Sequence, residues 1–221
     1  MKPAHRSPGA PTLLLVPTAE ELARLRPLPP GLALCAVCGF GPVAAAARAA
    51  ELLARLEPRR ALLVGIAGTY DENELAIGRA ACFAEVALDG VGAGSGERFQ
   101  GPRELGLPQW TGPPAIVDRL PLATPAGVPR KPLLLTACAA AASSAEARAR
   151  RARFPGALAE DMEAFAVAFA CARARVPLTV VRGASNTAGD RARERWRVDD
   201  ALAAARTLAV MLLARGAEEE R

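Results

Sequence analysis

Residues 157–186, ALAEDMEAFAVAFACARARVPLTVVRGASN, decide the fold. They read as a strand at Ala157–Asp161, an alanine-rich helix at Glu163–Arg175 and a second apolar strand at Leu178–Gly183, introduced by Pro177. The same alternation runs outward to both ends. Strands are expected at Thr12–Val16, Leu32–Cys38, Ala61–Gly65, Leu75–Leu88, Ala115–Arg119 and Leu133–Ala137, and helices at Ala19–Leu25, Pro42–Leu56, Ser143–Arg153 and Asp199–Arg215. Pro42 stands at a helix's first position, where a missing N–H costs nothing. Apolar strands alternating with helices predict an α/β sheet covered on both faces.

The length of 221 residues fits one domain, expected over residues 12–215, with residues 1–11 and 216–221 as disordered tails. No repeat or linker interrupts it. The least regular stretch, Gly90–Pro114, is a long loop carrying Phe99 and Trp110, and loops of that length are usually functional or mobile. No apolar run reaches the roughly 18–20 residues that cross a bilayer. The first residues, MKPAHRSPGAPT, lack the apolar core of a signal peptide. The expectation is a cytoplasmic protein with no membrane contact.

Composition narrows the chemistry. There are 28 basic and 23 acidic residues, a formal charge of +5, and only Lys2 and Lys131 are lysines. The arginines are scattered over helix faces and loops, and the basic run Ala147–Arg153 has no aromatic platform within it, so no nucleic-acid partner is expected. The one histidine, His5, sits in the expected tail. That removes histidine general bases, Ser-His-Asp triads and His-bearing zinc sites. Cys35 and Cys38 have C-x-x-C spacing but fall in an apolar run, and Cys82, Cys138 and Cys171 are isolated. They read as core thiols rather than a metal pair. Gly39-Phe40-Gly41-Pro42-Val43-Ala44 superficially matches a dinucleotide-binding turn, yet the acidic residue expected about 20 positions on is missing. A plain strand-to-helix turn accounts for it, and no nicotinamide cofactor is expected.

Two polar clusters stand at the ends of consecutive strands. Asp161 and Glu163 project to one side where the strand passes into a helix, and Ser185, Asn186 and Asp190 follow the next strand. Acids in a first helical turn are also ordinary capping chemistry, and the second cluster reads equally as a capping loop. Their shared location at the sheet edge favours one pocket.

Asp161-Met162-Glu163-Ala164 and Val181-Arg182-Gly183-Ala184-Ser185-Asn186 resemble the purine nucleoside phosphorylase and nucleosidase superfamily. Leu13–Val16 with Pro17-Thr18-Ala19-Glu20-Glu21, Gly39–Ala45, and Gly65-Ile66-Ala67-Gly68 fit it in order, so the resemblance spans Leu13 to Leu213. Thr69-Tyr70, the run Ser185–Arg191 and Trp196 are most similar to its futalosine hydrolase branch, on the futalosine route to menaquinone.

The resemblance implies a three-layer α/β/α sandwich with a central mixed sheet, a homodimer or larger homo-oligomer, and hydrolysis of an N-glycosidic bond without metal or organic cofactor. By similarity Glu21, or Glu20 one residue earlier, activates the water. Glu163 accepts the ribose 2′- and 3′-hydroxyls and Met162 packs on the sugar. Ala67, Gly68, Asp161 and Ser185 complete the substrate-binding set. Adenine-cleaving relatives carry aspartate where this chain has Asn186. An amide N–H suits N7 and a 6-oxo group but faces a 6-amino group donor to donor, leaving polar groups unpaired at about 1–3 kcal/mol. Hypoxanthine release from futalosine is therefore expected, with Asp190 or water giving the proton that Asn186 lacks.

Departures from the family pattern keep other readings in play. Arg79 stands where Asp is usual, and Thr136–Ser144 is alanine-rich where relatives stack an aromatic on the base. Phe154 or Phe165 could stack, although both read as core, and Phe99 and Trp110 could close the pocket from the loop or from a neighbouring subunit. An adenine-type nucleosidase acting on methylthioadenosine, adenosylhomocysteine or aminodeoxyfutalosine is the alternative. A phosphorylase using Arg79 and Arg182, or a silent purine-binding protein, stands behind it.

Overall fold

The computed structural model describes residues 10–125 and 127–218. The chain runs β1 (Thr12–Val16), α1 (Ala19–Leu25), β2 (Leu34–Val37), α2 (Pro42–Leu56), β3 (Arg60–Thr69), β4 (Ala80–Asp89), α3 (Pro102–Leu105), β5 (Arg119–Pro121), β6 (Arg130–Ala137), α4 (Ser144–Arg153), β7 (Ala157–Asp161), α5 (Ala164–Ala174), β8 (Leu178–Thr187) and α6 (Val198–Glu218).

All eight strands join one mixed sheet in the order β2-β1-β3-β7-β6-β4-β5, with β8 pairing both β3 and β4. That double pairing closes a ring of β3, β7, β6, β4 and β8. β1 and β2 extend it beyond β3, and β5 hangs on β4.

The strands earn their places by burial. Every residue of β1 is buried, as a strand covered on both faces demands. Leu13 and Leu15 face the core under α2 and α5, whereas Leu14 and Val16 face the core under α1 and α6. This is the expected three-layer arrangement. Along α2, Ala45, Ala49, Leu52 and Leu53 repeat at helical spacing and form its buried stripe. Helix α5 is buried almost all round, because it fills the space between α2 and the sheet.

Several expected boundaries move. β3 and β8 each continue past a glycine that reads as a stop. β4 begins five residues after the expected Leu75, behind a turn ending at Arg79. β5 lies at Arg119–Pro121 rather than Ala115–Arg119. β2 is an edge strand with Leu34 and Cys35 exposed, so of the two expected core thiols only Cys38 is buried. α6 runs to Glu218, three residues beyond the end expected at Arg215. The loop 90–114 holds a 3-10 turn at Gly96–Arg98 and α3. The expected tail residues 1–9 and 219–221, His5 among them, lie outside the described residues. No helix among the described residues is long and apolar enough to cross a membrane.

Candidate active site

A cavity of about 570 Å³ opens where the ends of β1, β3, β7 and β8 meet the loop after β6. Glu21, Ala67, Gly68, Asp161, Met162, Glu163, Ser185 and Asn186 all line it, whereas Asp190, the third residue expected to take part in catalysis, is not among the lining residues.

Glu20 and Glu21 both line the cavity, but their carboxylates are held differently. Thr18 caps α1, its hydroxyl oxygen accepting the Glu21 N–H at 3.1 Å. That first turn carries the Glu21 side chain inward, where Oε2 accepts from the Thr18 hydroxyl at 2.9 Å and Oε1 from the Ile66 N–H at 3.2 Å. Glu20 instead pairs with Arg24 at 2.7 Å, and both side chains are solvent-exposed where they line the cavity.

Beside Glu21 lies Arg182, fully buried. Its Nε and Nη2 reach Asp161 Oδ2 at 2.9 and 2.5 Å, and Nη2 reaches Glu163 Oε2 at 3.4 Å. Nη1 has no hydrogen-bond partner among the described residues. Gly65 sits beside Arg182 in the β3–β8 register. A side chain there would run into the Arg182 guanidinium and come within 2.9 Å of Glu21 Oε1, so glycine makes the approach of these two groups possible.

Asp161 is spent on its surroundings. Oδ1 accepts from Thr136 at 2.6 Å and Oδ2 from the Ala164 N–H at 3.0 Å as well as from Arg182. It pins the start of α5 and the arginine, and touches the cavity only as wall. Glu163 is freer: Oε1 accepts from the Gly41 N–H at 3.0 Å, at the start of α2. Burial, with Asp161 near it and Arg182 acting in the opposite sense, pushes its carboxyl up to about 7.

At the far end, β8 bulges. Ala67 pairs with Ala184 but Gly68 with Asn186, leaving Ser185 as the extra residue. Bulges re-aim side chains beside sites. The Ser185 hydroxyl donates to Asn186 Oδ1 at 2.8 Å, and Asn186 Nδ2 donates to the carbonyls of Thr187 at 2.9 Å and Asp190 at 3.4 Å. The Asp190 carboxylate instead turns to Arg195, at 2.7 Å, which holds its pKa below the usual range. As a proton source for a departing base it is misplaced and ionised.

The aromatic expectations shift. Phe165 is core, and Phe99 and Phe154 line a separate cleft between the long loop and α4. Trp110 stacks under Arg173, 3.9 Å from its ring centroid. The aromatics on the cavity are Phe40, exposed at its rim, and Trp196, with Arg191 5.2 Å above its ring. Phe40 was legible only as the middle of a glycine turn. Arg182 was visible as a charge in an apolar strand, and that anomaly was the available signal.

The chain matches the family model described as the phosphorylase superfamily over residues 31–215. It is 38% identical over 186 residues to a futalosine hydrolase of Streptomyces coelicolor, covering 81% of this chain and 77% of the relative. Among solved structures it resembles the 5′-methylthioadenosine/S-adenosylhomocysteine nucleosidase of Neisseria meningitidis in complex with methylthio-immucillin-A, with a TM-score of 0.73 at 18% identity over 92% of this chain and 98% of the other. The native futalosine hydrolase of Helicobacter pylori strain 26695 gives 0.71 at 16% identity over 93% and 99%. At those identities the two solved structures speak for the fold.

Proposed function

The chain belongs to the phosphorylase superfamily, and from that premise we propose that it is an N-glycosyl hydrolase that cleaves futalosine to hypoxanthine and dehypoxanthine futalosine. The observation that carries the reading is the pairing, on the wall of one cavity, of the inward-turned Glu21 carboxylate and the Glu163 carboxylate with a 6-oxo-compatible amide, Asn186. The 38% identity to a futalosine hydrolase supports it.

The chemistry follows from the residues. Breaking a ribosyl–purine bond builds positive charge on the sugar and negative charge on the base, so the site must serve both. Glu163 accepts the ribose 2′- and 3′-hydroxyls and lends negative charge beside the sugar. Glu21 takes a proton from the attacking water as general base, and Arg182, buried behind the cavity wall, holds Asp161 and Glu163 in place beside it. Met162 packs on the ribose. Asn186 Nδ2 exchanges its long 3.4 Å bond to the Asp190 carbonyl for the departing base. Ser185, donating to the amide oxygen, fixes which side of the Asn186 amide carries the N–H. The proton for the base comes from water, since Asp190 is engaged by Arg195.

Phosphorolysis is disfavoured by the same geometry. Arg182 is committed to Asp161 and Glu163, Arg79 is not on the cavity wall, and a phosphate at the attacking position would face the Glu21 carboxylate. The cytoplasmic setting and a homo-oligomeric state are carried as part of this proposal. Its test is chromatography of the purified protein with futalosine, inosine, methylthioadenosine and aminodeoxyfutalosine, with and without phosphate. Hypoxanthine from futalosine at a phosphate-independent rate is expected. Adenine from the 6-amino substrates, or a rate that needs phosphate, overturns it.

A further inference from the structure

Arginines fall on alternate residues of one short stretch, at Arg191, Arg193, Arg195 and Arg197. Two of them are spent on neighbouring acids, Arg195 on Asp190 at 2.7 Å and Arg197 on Asp200 at 2.7 Å. The other two, Arg191 and Arg193, line the cavity and have no carboxylate partner among the described residues. Arg191 lies over the ring of Trp196, which lines the cavity with them. The acids on the same wall are already engaged. Glu20 pairs with Arg24, Glu21 accepts from Thr18 and Ile66, Glu160 pairs with Arg150, and Asp161 and Glu163 hold Arg182. The wall therefore carries two cations that no side chain neutralises.

Hydrogen bonds fix where these cations stand relative to a bound nucleoside. Trp196 Nε1 donates to the Asp190 carbonyl at 3.1 Å, the same oxygen that Asn186 Nδ2 reaches at 3.4 Å. The Arg197 N–H donates to the Ser185 carbonyl at 2.8 Å, just before α6 begins. The stretch 190–197 is thus tied at both ends to the residues that meet the base. In an anti nucleoside the N7–C8 edge of the purine lies on the side of C5′. A base held at N7 by Asn186 therefore sends its 5′ arm toward Trp196 and the two arginines, with Val198 and Leu202 as the apolar wall beside them. Asn186, Glu163 and Glu21 account for base, ribose and water, and nothing yet assigned meets that arm.

We propose that Arg191, Arg193 and Trp196 form a specificity subsite for a flat, anionic substituent on the 5′ arm of the nucleoside, an aryl carboxylate. The proposal rests on the reading of this cavity as a purine-nucleoside site and adds the group that selects the arm. A guanidinium offers parallel N–H donors that match a carboxylate, and the indole offers a face to an aryl ring. Futalosine meets both, because its 5′ arm ends in a benzoate. Inosine has no anion there, and methylthioadenosine has a neutral thioether. Both arginines are solvent-exposed, so their pull on the carboxylate is moderate and weakens with salt.

Steady-state hydrolysis of futalosine and of its methyl ester by the wild type, Arg191→Gln and Arg193→Gln, at low and high salt, tests this. The wild type is expected to show a KM about tenfold lower for futalosine than for the ester, with kcat nearly equal. Raising the salt is expected to close that gap. Each variant is expected to shrink the futalosine-to-ester ratio of kcat/KM severalfold, and Arg193→Lys to restore part of it. Equal wild-type KM values for acid and ester overturn the proposal while leaving the hydrolase reading in place, and that comparison needs no variant to fold. Inosine 5′-monophosphate cleaved more efficiently than futalosine also overturns it, because the arginines would then serve a phosphate. If futalosine is not hydrolysed, calorimetric binding decides. Salt-sensitive binding of futalosine, tighter than that of its ester, keeps the subsite and removes the hydrolase reading; equal or absent binding of the two removes the subsite as well.

Discussion

Arg182 gathers three carboxylates, Asp161, Glu163 and Glu21, around one fully buried cation. The cluster is short of positive charge, and the cost falls on Glu163, whose carboxyl is pushed up to about 7, chiefly by burial. Only the ionised form accepts from both ribose hydroxyls without offering a competing proton. kcat/KM is therefore expected to fall on the acid side with an apparent pKa near 7, and Glu163→Gln to lower activity and remove that limb; a pH–rate profile of the two proteins checks it. Stability runs the other way. The unfolded chain releases this proton near its ordinary 4.5, the native protein near 7. The native state thus binds more protons across that window, and the Glu163 contribution is lost as pH rises from 4.5 through 7. The difference in Tm between wild type and Glu163→Gln should shift in that sense. Glu21 and Glu20 separate more simply. Glu21→Gln is expected to cost kcat about 10²- to 10⁴-fold with KM nearly unchanged, and Glu20→Gln to leave both close to wild type. Comparable losses in the two variants would reject the assignment of the base.

Elements show where sequence pattern stops being informative. β1, α1, α2 and β7 begin and end where their apolar spacing and caps say they should. β3 and β8 run on past Gly65, Gly68 and Gly183, because glycine reads locally as punctuation whereas here it answers a distant neighbour. A side chain at Gly65 would meet Arg182, and one at Gly183 would meet the Ala201 backbone on α6. The site divides the same way. Met162, Glu163 and Asn186 are legible because a short contiguous motif carries them. Glu160, Arg182 and Phe40 acquire their places from strand register and the approach of other loops, and Asp190 is diverted by Arg195, five residues on. Gly183→Ala tests the packing directly. Its Cβ opposes main chain that no rotamer can move, and overpacking of this kind costs about 1–3 kcal/mol or more. For a chain of this size that is a Tm loss of roughly 2–12 °C, readable by thermal denaturation. An unchanged Tm would mean that α6 rides more loosely on β8 than the close approach implies.

Across the whole molecule, the cavity is assembled from residues between Pro17 and Leu202, and no local segment contains it. The closed ring of β3, β7, β6, β4 and β8 is what brings them together. The cores on the two faces each draw on β1, β3, β4 and β8 and on helices early and late in the chain. Opening the ring at any pairing would expose both cores and dismantle the site, so folding and binding are coupled. One cooperative unfolding transition is therefore expected for residues 12–215 acting as a single domain. A ligand that binds only the native state adds about 2.7 kcal/mol at 100 times its Kd, equivalent to a rise in Tm of roughly 5–11 °C at this size. Differential scanning calorimetry with hypoxanthine should show that whole transition move upward, and adenine at the same concentration should move it less. A second transition that ignores the ligand would mean that part of the sheet folds independently of the cavity, and the ring would then not be the unit that holds the site.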